Sequence, residues 1–248
     1  MSLYREFAPP AGLAEVVACT WEGHAGWSRE LRVLPDGCVD LTWDGRSVRV
    51  VSPVAGPVRH LVLTRAVNMG IRLRPGWAHL LPPVVDLAGL GDRLADTTSA
   101  TAARTVLADF VLGTLSDDGG PPDRQVLTAV ELLCRAGASV RVTADTVGLS
   151  VRQLRRRFDH HVGLGPKTLQ TVLRFQRFLR QASRAPSLAR AAADCGYADE
   201  SHLVRDCRRL TGSTPGALTP SRYRAAFHDR RTARVPGCPM SSQYATST

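Results

Sequence analysis

The chain has 248 residues, 44% of them hydrophobic and 22% charged, the balance of a globular protein of one or two domains. Thirty-two basic against 22 acidic side chains give a formal charge of +10. No apolar run approaches the ~18–20 residues that a membrane span needs, and the first residues lack the basic-then-apolar pattern of a secretory signal, so a cytoplasmic protein with no membrane partner is expected.

The first third reads as strands. Runs at 16–21, 30–34, 38–43, 47–51, 60–64 and 67–73 are rich in Val, Leu and Trp, and several alternate apolar with polar residues. Turn residues separate them: Pro35-Asp36-Gly37, Asp44-Gly45, Gly56-Pro57 and Arg74-Pro75-Gly76. Asp-Gly between two such runs is a strong hairpin signal. Short strands at this spacing predict a small antiparallel barrel or sandwich. Residues 80–94 read as short helices or turns. Residues 99–115 read as a helix whose stripe of Val106, Leu107, Phe110, Val111 and Leu115 packs within the chain in preference to a second subunit.

Residues 116–123, Ser-Asp-Asp-Gly-Gly-Pro-Pro-Asp, are almost free of apolar side chains and mark a linker. The predicted organisation is a β-rich domain at 1–118, a linker at 119–123, a helical domain at 124–226 and a disordered tail at 227–248. The charge steps at the same place. Residues 1–120 hold 11 basic and 13 acidic side chains, net −2, and residues 121–248 hold 21 and 9, net +12. A basic half beside a near-neutral half points to nucleic acid or an anionic surface. Of the 32 basic residues 31 are arginines, with Lys167 the exception; because 11 arginines lie in the other half, proteome bias explains much of that choice.

Helices are predicted at 124–136, 143–147, 151–160, 166–183, 187–195, 199–210 and near 220–226. Two of these segments match each other. Leu154 and Leu203, Arg156 and Arg205, Gly163 and Gly212, Pro166 and Pro215, and Leu169 and Leu218 each lie 49 positions apart. Each copy has a short helix, a turn at glycine and an amphipathic helix with outward basic residues, which is the helix-turn-helix layout. A recognition helix must present donors to base edges and phosphates in the major groove. Ser150 is placed to cap the first copy, and Arg152, Arg155 and Arg156 then share one face, with Leu154 and Phe158 on the other. Arg157 falls on the flank and is assigned to phosphate. In the second copy Asp199 is the cap. Glu200, Ser201, His202 and Arg205 form the exposed turns. Glu200 either accepts from cytosine N4 or is a first-turn acid favoured by the helix dipole.

Two helix-turn-helix units joined by one long helix resemble the DNA-binding domain of AraC/XylS-type transcription regulators. The most specific stretch runs from Ser187 to Leu203, with its small-residue helix, Gly-aromatic turn and Asp-x-Ser-His start, followed by Gly212-Ser213-Thr214-Pro215. The resemblance implies base reading by Arg152, Arg155, Arg156, Glu200, Ser201, Val204 and Arg205; Arg157, His202, Arg208 and Arg209 are expected to contact phosphates. Leu203 and Cys207 stand where the family usually has phenylalanines, and Thr143 where it has leucine. The first half resembles the small cupin-like barrels that sense or dimerise in such regulators, giving an α+β, two-domain protein. Double-stranded DNA is the implied partner, with RNA polymerase, a small-molecule effector and a homodimer as further expectations. Trp21, Asp40, Trp43 and Arg72 are the candidate ligand residues.

Other chemistries are weaker. The cysteines at 19, 38, 134, 195, 207 and 238 form no CxxC pair, so no metal or cofactor is expected. A DNA-repair alkyl-acceptor would need a clustered cysteine zinc site. His160 and His161 adjoin and suit a helix C-terminus. No Ser-His-Asp or paired-carboxylate arrangement is visible, so no catalytic residue is named and the protein is not expected to be an enzyme. A thiol-responsive regulator, using Cys38 or Cys134, is the remaining alternative.

Overall fold

The computed structural model describes residues 3–24, 28–62, 67–81, 87–117, 122–182 and 184–218. The helix expected near 220–226, the tail from 227 and residues 119–121 of the linker lie outside them. The strands are β1 (Leu3–Phe7), β2 (Val17–His24), β3 (Arg29–Val33), β4 (Val39–Trp43), β5 (Val48–Val51), β6 (Val58–Val62) and β7 (Val67–Leu73). Five of them form an antiparallel sheet in the order β1-β2-β7-β4-β5, and β3 pairs with β6 in a second, two-stranded sheet. Strand β1 is the one the sequence hid. Its residues, Leu-Tyr-Arg-Glu-Phe, alternate poorly because Glu6 is buried and Arg5 is exposed.

One face of the large sheet is apolar. Val17, Val39, Leu41, Trp43, Met69, Ile71 and Leu73 pack against α1 (Ala88–Ala95) and α2 (Ala100–Asp117) through Leu90, Leu94, Ala103, Leu107 and Val111. The α2 stripe is therefore satisfied within the chain. Arg104 of α2 ties the helix to the sheet edge, pairing with Glu22 at 2.8 Å and lying over the Phe7 ring.

The C-terminal part comprises α3 (Arg124–Leu133), α4 (Val140–Thr146), α5 (Val151–His161), α6 (Pro166–Gln181), α7 (Leu188–Asp194), α8 (Glu200–Thr211) and a 3-10 turn at Pro215–Leu218. Asp123 caps α3 through the amides of Gln125 and Val126. Helix α6 is shared by two cores. Leu169 and Leu173 face Val126, Val130, Leu154 and Phe158 of the first. Val172, Phe175 and Phe178 face Ala191, Ala192, Leu203, Cys207 and Leu210 of the second. The two phenylalanines of α6 supply bulk beside Leu203 and Cys207, where the resembling family carries aromatics on the recognition helix itself.

The two parts are closely docked. Ala18 and Cys38 are buried in the first helical core and Leu34 in the second. Gln176 of α6 donates its amide to the Pro35 carbonyl. Residues 34–38 thus enter between the two helical units. Pro53 lies against Gly163, and Pro57 against Gly212. A polar linker in the sequence says nothing about such docking, because the apolar residues that make it lie elsewhere in the chain.

Candidate nucleic-acid interface

Each helix-turn-helix unit starts from a local signal. Ser150 caps α5 through the Gln153 amide, and the Gln153 side chain accepts from the Ser150 amide in return, a complete capping box. Asp199 caps α8 through the His202 amide at 2.6 Å. The turns that precede them hold Gly148 and Gly196 at φ +71° and +83°, a conformation that only glycine adopts without strain. The two recognition helices begin at Val151 and Glu200, so the 49-residue repeat read from sequence is a repeat of structure.

The expected base-reading residues sit on exposed faces. Arg152, Arg155 and Arg156 are exposed on α5, with Leu154 and Phe158 fully buried beneath them. Glu200, Ser201 and Arg205 are exposed on α8, and Val204 is half-buried. Arg208 and Arg209 are exposed too, Arg209 leaning on Asp206 at 3.3 Å.

Two of the residues assigned to phosphate are engaged within the protein. Arg157 is half-buried, donating to Asp123 Oδ2 at 2.9 Å and to Gln125 Oε1 at 2.7 Å, so it fastens α5 to the cap of α3. The His202 ring sits edge-on to Tyr197 and beside Arg174 and the Ala198 amide. Its ring thus packs into the turn. The spacing of either residue along its helix gives no sign of this, since the partners come from α3, α6 and the turn before α8.

The four candidate ligand residues divide. In β4, Trp43 follows Asp40 by three residues, so the two point to opposite faces. Trp43 is 7% exposed in the apolar core under α1 and α2. Asp40, Trp21 and Arg72 meet on the other face. Trp21 Nε1 donates to Asp40 Oδ1 at 2.8 Å, and Arg72 Nε donates to the same carboxylate at 3.1 Å. Glu6 and Asp36 complete the cluster, at 3.5 and 3.4 Å from the Arg72 guanidinium. Burial pushes Glu6 up to about 7 and Asp36 up to about 6, against the pull of Arg72. The three sequence-named polar groups are therefore partners of one another. Asp36 joins them to residues 34–38, accepting from the Cys38 amide at 2.9 Å.

His161, the last residue of α5, meets the N-terminal part at His79, with the two Nδ1 atoms 3.0 Å apart. His160 lies edge-on to His161. Burial first, and then His160, holds His161 below the ordinary histidine value, while Asp123 acts in the opposite sense. Among the described residues no group of three His, Cys, Asp or Glu is arranged to hold a metal ion, and the cysteines at 19, 38, 134, 195 and 207 form no disulfide with one another. Burial raises Cys195 to about 11 and Cys207 to about 12, which leaves both as unreactive thiols at neutral pH.

Residues 143–226 match a helix-turn-helix domain family, HTH_18, and residues 5–95 match a domain of unknown function, DUF6597. No curated protein matches the chain in sequence. Solved structures of ToxT from Vibrio cholerae align along nearly all of it. An apo variant is 10% identical, with 92% of this chain and 97% of that chain covered and a TM-score of 0.38. A 1.65 Å structure is 9% identical, with 92% and 99% covered and a TM-score of 0.41. Superpositions at this level are loose.

Proposed function

We propose, for a protein whose residues 143–226 are an AraC-type helix-turn-helix domain and which is thereby a DNA-binding transcription regulator, that α5 and α8 read two successive major grooves on one face of duplex DNA. The observation that carries this reading is the pair of capped helices, each with an exposed polar face over a fully buried apolar one. Arg152, Arg155 and Arg156 supply bidentate donors suited to guanine, and Glu200, Ser201 and Arg205 supply a mixed acceptor and donor set. Arg208 and Arg209 serve phosphates. The two windows lie one helical turn apart, ~34 Å.

On this reading the protein is a binder and not an enzyme, working in the cytoplasm at the nucleoid and contacting RNA polymerase from the bound promoter. A small molecule or protein partner acts on the N-terminal domain, where homodimerisation also falls. Residues 34–38 transmit the effect, because Leu34 and Cys38 are embedded in the two helical cores while Asp36 is held by Arg72. Selection of binding sites from a random duplex library with the full chain, followed by hydroxyl-radical footprinting, tests it. Two protected windows about 10 base pairs apart on one face support the reading. A single short window, or retention no better than that of a scrambled duplex, overturns it.

A further inference from the structure

Helix α6 joins the two units, and each packs on it through its own set of side chains. Contacts between the units themselves then limit how far one can roll on α6 relative to the other. The structure places such a contact where the end of α3 meets the end of α7. Arg177 projects from α6 and divides its guanidinium between them. Nη1 donates to the Cys195 carbonyl at 2.9 Å, and Nη2 donates to the Cys134 carbonyl. Those residues are the C-caps of α7 and α3. Each carbonyl stands at the negative end of a helix, where a cation is favoured. Beside this fork the backbones touch: a Cβ on Gly196 would lie 3.1 Å from the Gly137 amide nitrogen. One turn later on the amino-terminal side, Arg174 reaches Asp206 of α8 at 2.9 Å and lies over the Tyr197 ring. Arg174 thus fastens α6 to the second unit alone, whereas Arg177, one turn further on, bridges both.

We infer that Arg177 is a positioning residue for bipartite DNA recognition: its forked contact with the ends of α3 and α7 sets the roll of one recognition helix relative to the other. This rests on the two-groove reading given above. Arginine suits the task because its planar fork carries two donors at a fixed separation, which a single ammonium does not. The consequence is a strict demand on the DNA. Adding one base pair between half-sites shifts the second by about 3.4 Å and rotates it by about 34°, and a rigid pair of units cannot follow both changes.

The test uses the full chain and a duplex selected from a random library, with the segment between half-sites shortened or lengthened by one and two base pairs. Affinity is measured for the wild type, for Arg177→Lys, which keeps the charge without the fork, and for Arg177→Met. Folding of each variant is checked by thermal denaturation. In the wild type each added or removed base pair lowers affinity about tenfold, because the second contact is lost with the geometry that allowed it. In both variants the affinity at optimal spacing falls, and the profile flattens to about twofold per base pair, while binding to an isolated half-site is unchanged. A merely structural role lowers binding at every spacing alike and leaves the profile steep; that result overturns the inference. If the wild type itself shows no spacing dependence, the two-groove reading fails first, and this inference falls with it.

Discussion

The two helix-turn-helix units differ most at equivalent positions. Arg157 of α5 and Asp206 of α8 stand 49 residues apart, and each is the residue by which its recognition helix is fastened to a neighbour. They have opposite charge. Arg157 pairs with Asp123 at the cap of α3, and Asp206 pairs with Arg174 from α6. Phe158 and Cys207 are another such pair. The first unit fills its core with its own ring, and the second borrows Phe175 and Phe178 from α6. The exposed faces diverge as well, with three arginines on α5 and a glutamate, a serine and an arginine in the opening turns of α8. One scaffold thus tolerates different fastenings, provided that each is satisfied, and this leaves the outward faces free to differ.

The largest test of that contrast is in the cores. Phe158→Ala removes a fully buried ring and is expected to cost about 3–5 kcal/mol. Cys207→Ala at the equivalent position removes one atom and is expected to cost about 1 kcal/mol. Urea denaturation of both variants measures the difference; equal losses would mean that α6 does not fill the second core as described. Next come the reading faces. Arg156→Ala and Arg205→Ala are each expected to lose about 1–3 kcal/mol of discrimination at one base position, read by competition against single-base variants of a selected site. Arg157→Ala should differ from both. Because its guanidinium is committed to Asp123 and Gln125, it should leave the salt slope of DNA binding nearly unchanged, where a phosphate-contacting arginine would reduce it by about one.

Smaller effects separate the caps. Ser150→Ala and Asp199→Ala are each expected to lower stability by about 1 kcal/mol. Ser150 should cost the more, since its loss also removes the hydroxyl that donates to Gln153 Oε1 at 2.8 Å; thermal melts of the two variants give the order. The smallest is a pH effect confined to the first unit. His161 is held below the usual histidine value, so the stability it contributes is present above pH 6.5 and is lost as pH falls through its lowered value. Its counterpart in the second unit is Leu210, which does not titrate. Hydrogen exchange should therefore loosen at the end of α5 on acidification while the end of α8 holds, and His161→Leu, which places the second unit's residue there, should abolish the difference.

Much of this was legible in the chain. Six of the seven strands among the described residues, the capped helices α5 and α8 and the exposed arginine face of α5 follow from alternation, capping residues and 3.6-residue spacing, all of which are local rules. The repeat made the second unit readable from the first. A period of two would also have parted Trp43 from Asp40, since residues three apart on a strand face opposite ways. Strand β1 escaped because a buried Glu6 breaks its pattern.

What the sequence determined by itself is therefore the set of elements and the side chains that each turns to solvent. What only the tertiary structure decided is which polar groups pair. Arg72 with Glu6, Asp36 and Asp40, Arg157 with Asp123, His161 with His79, and Arg177 with the carbonyls of Cys134 and Cys195 bring together groups from separate elements. The physical reason is one of range. Propensity and periodicity act over a turn of helix or a pair of strand residues. A buried charge or an open helix end needs a partner wherever the packed chain supplies one, and nothing in its own neighbourhood says where that partner will be.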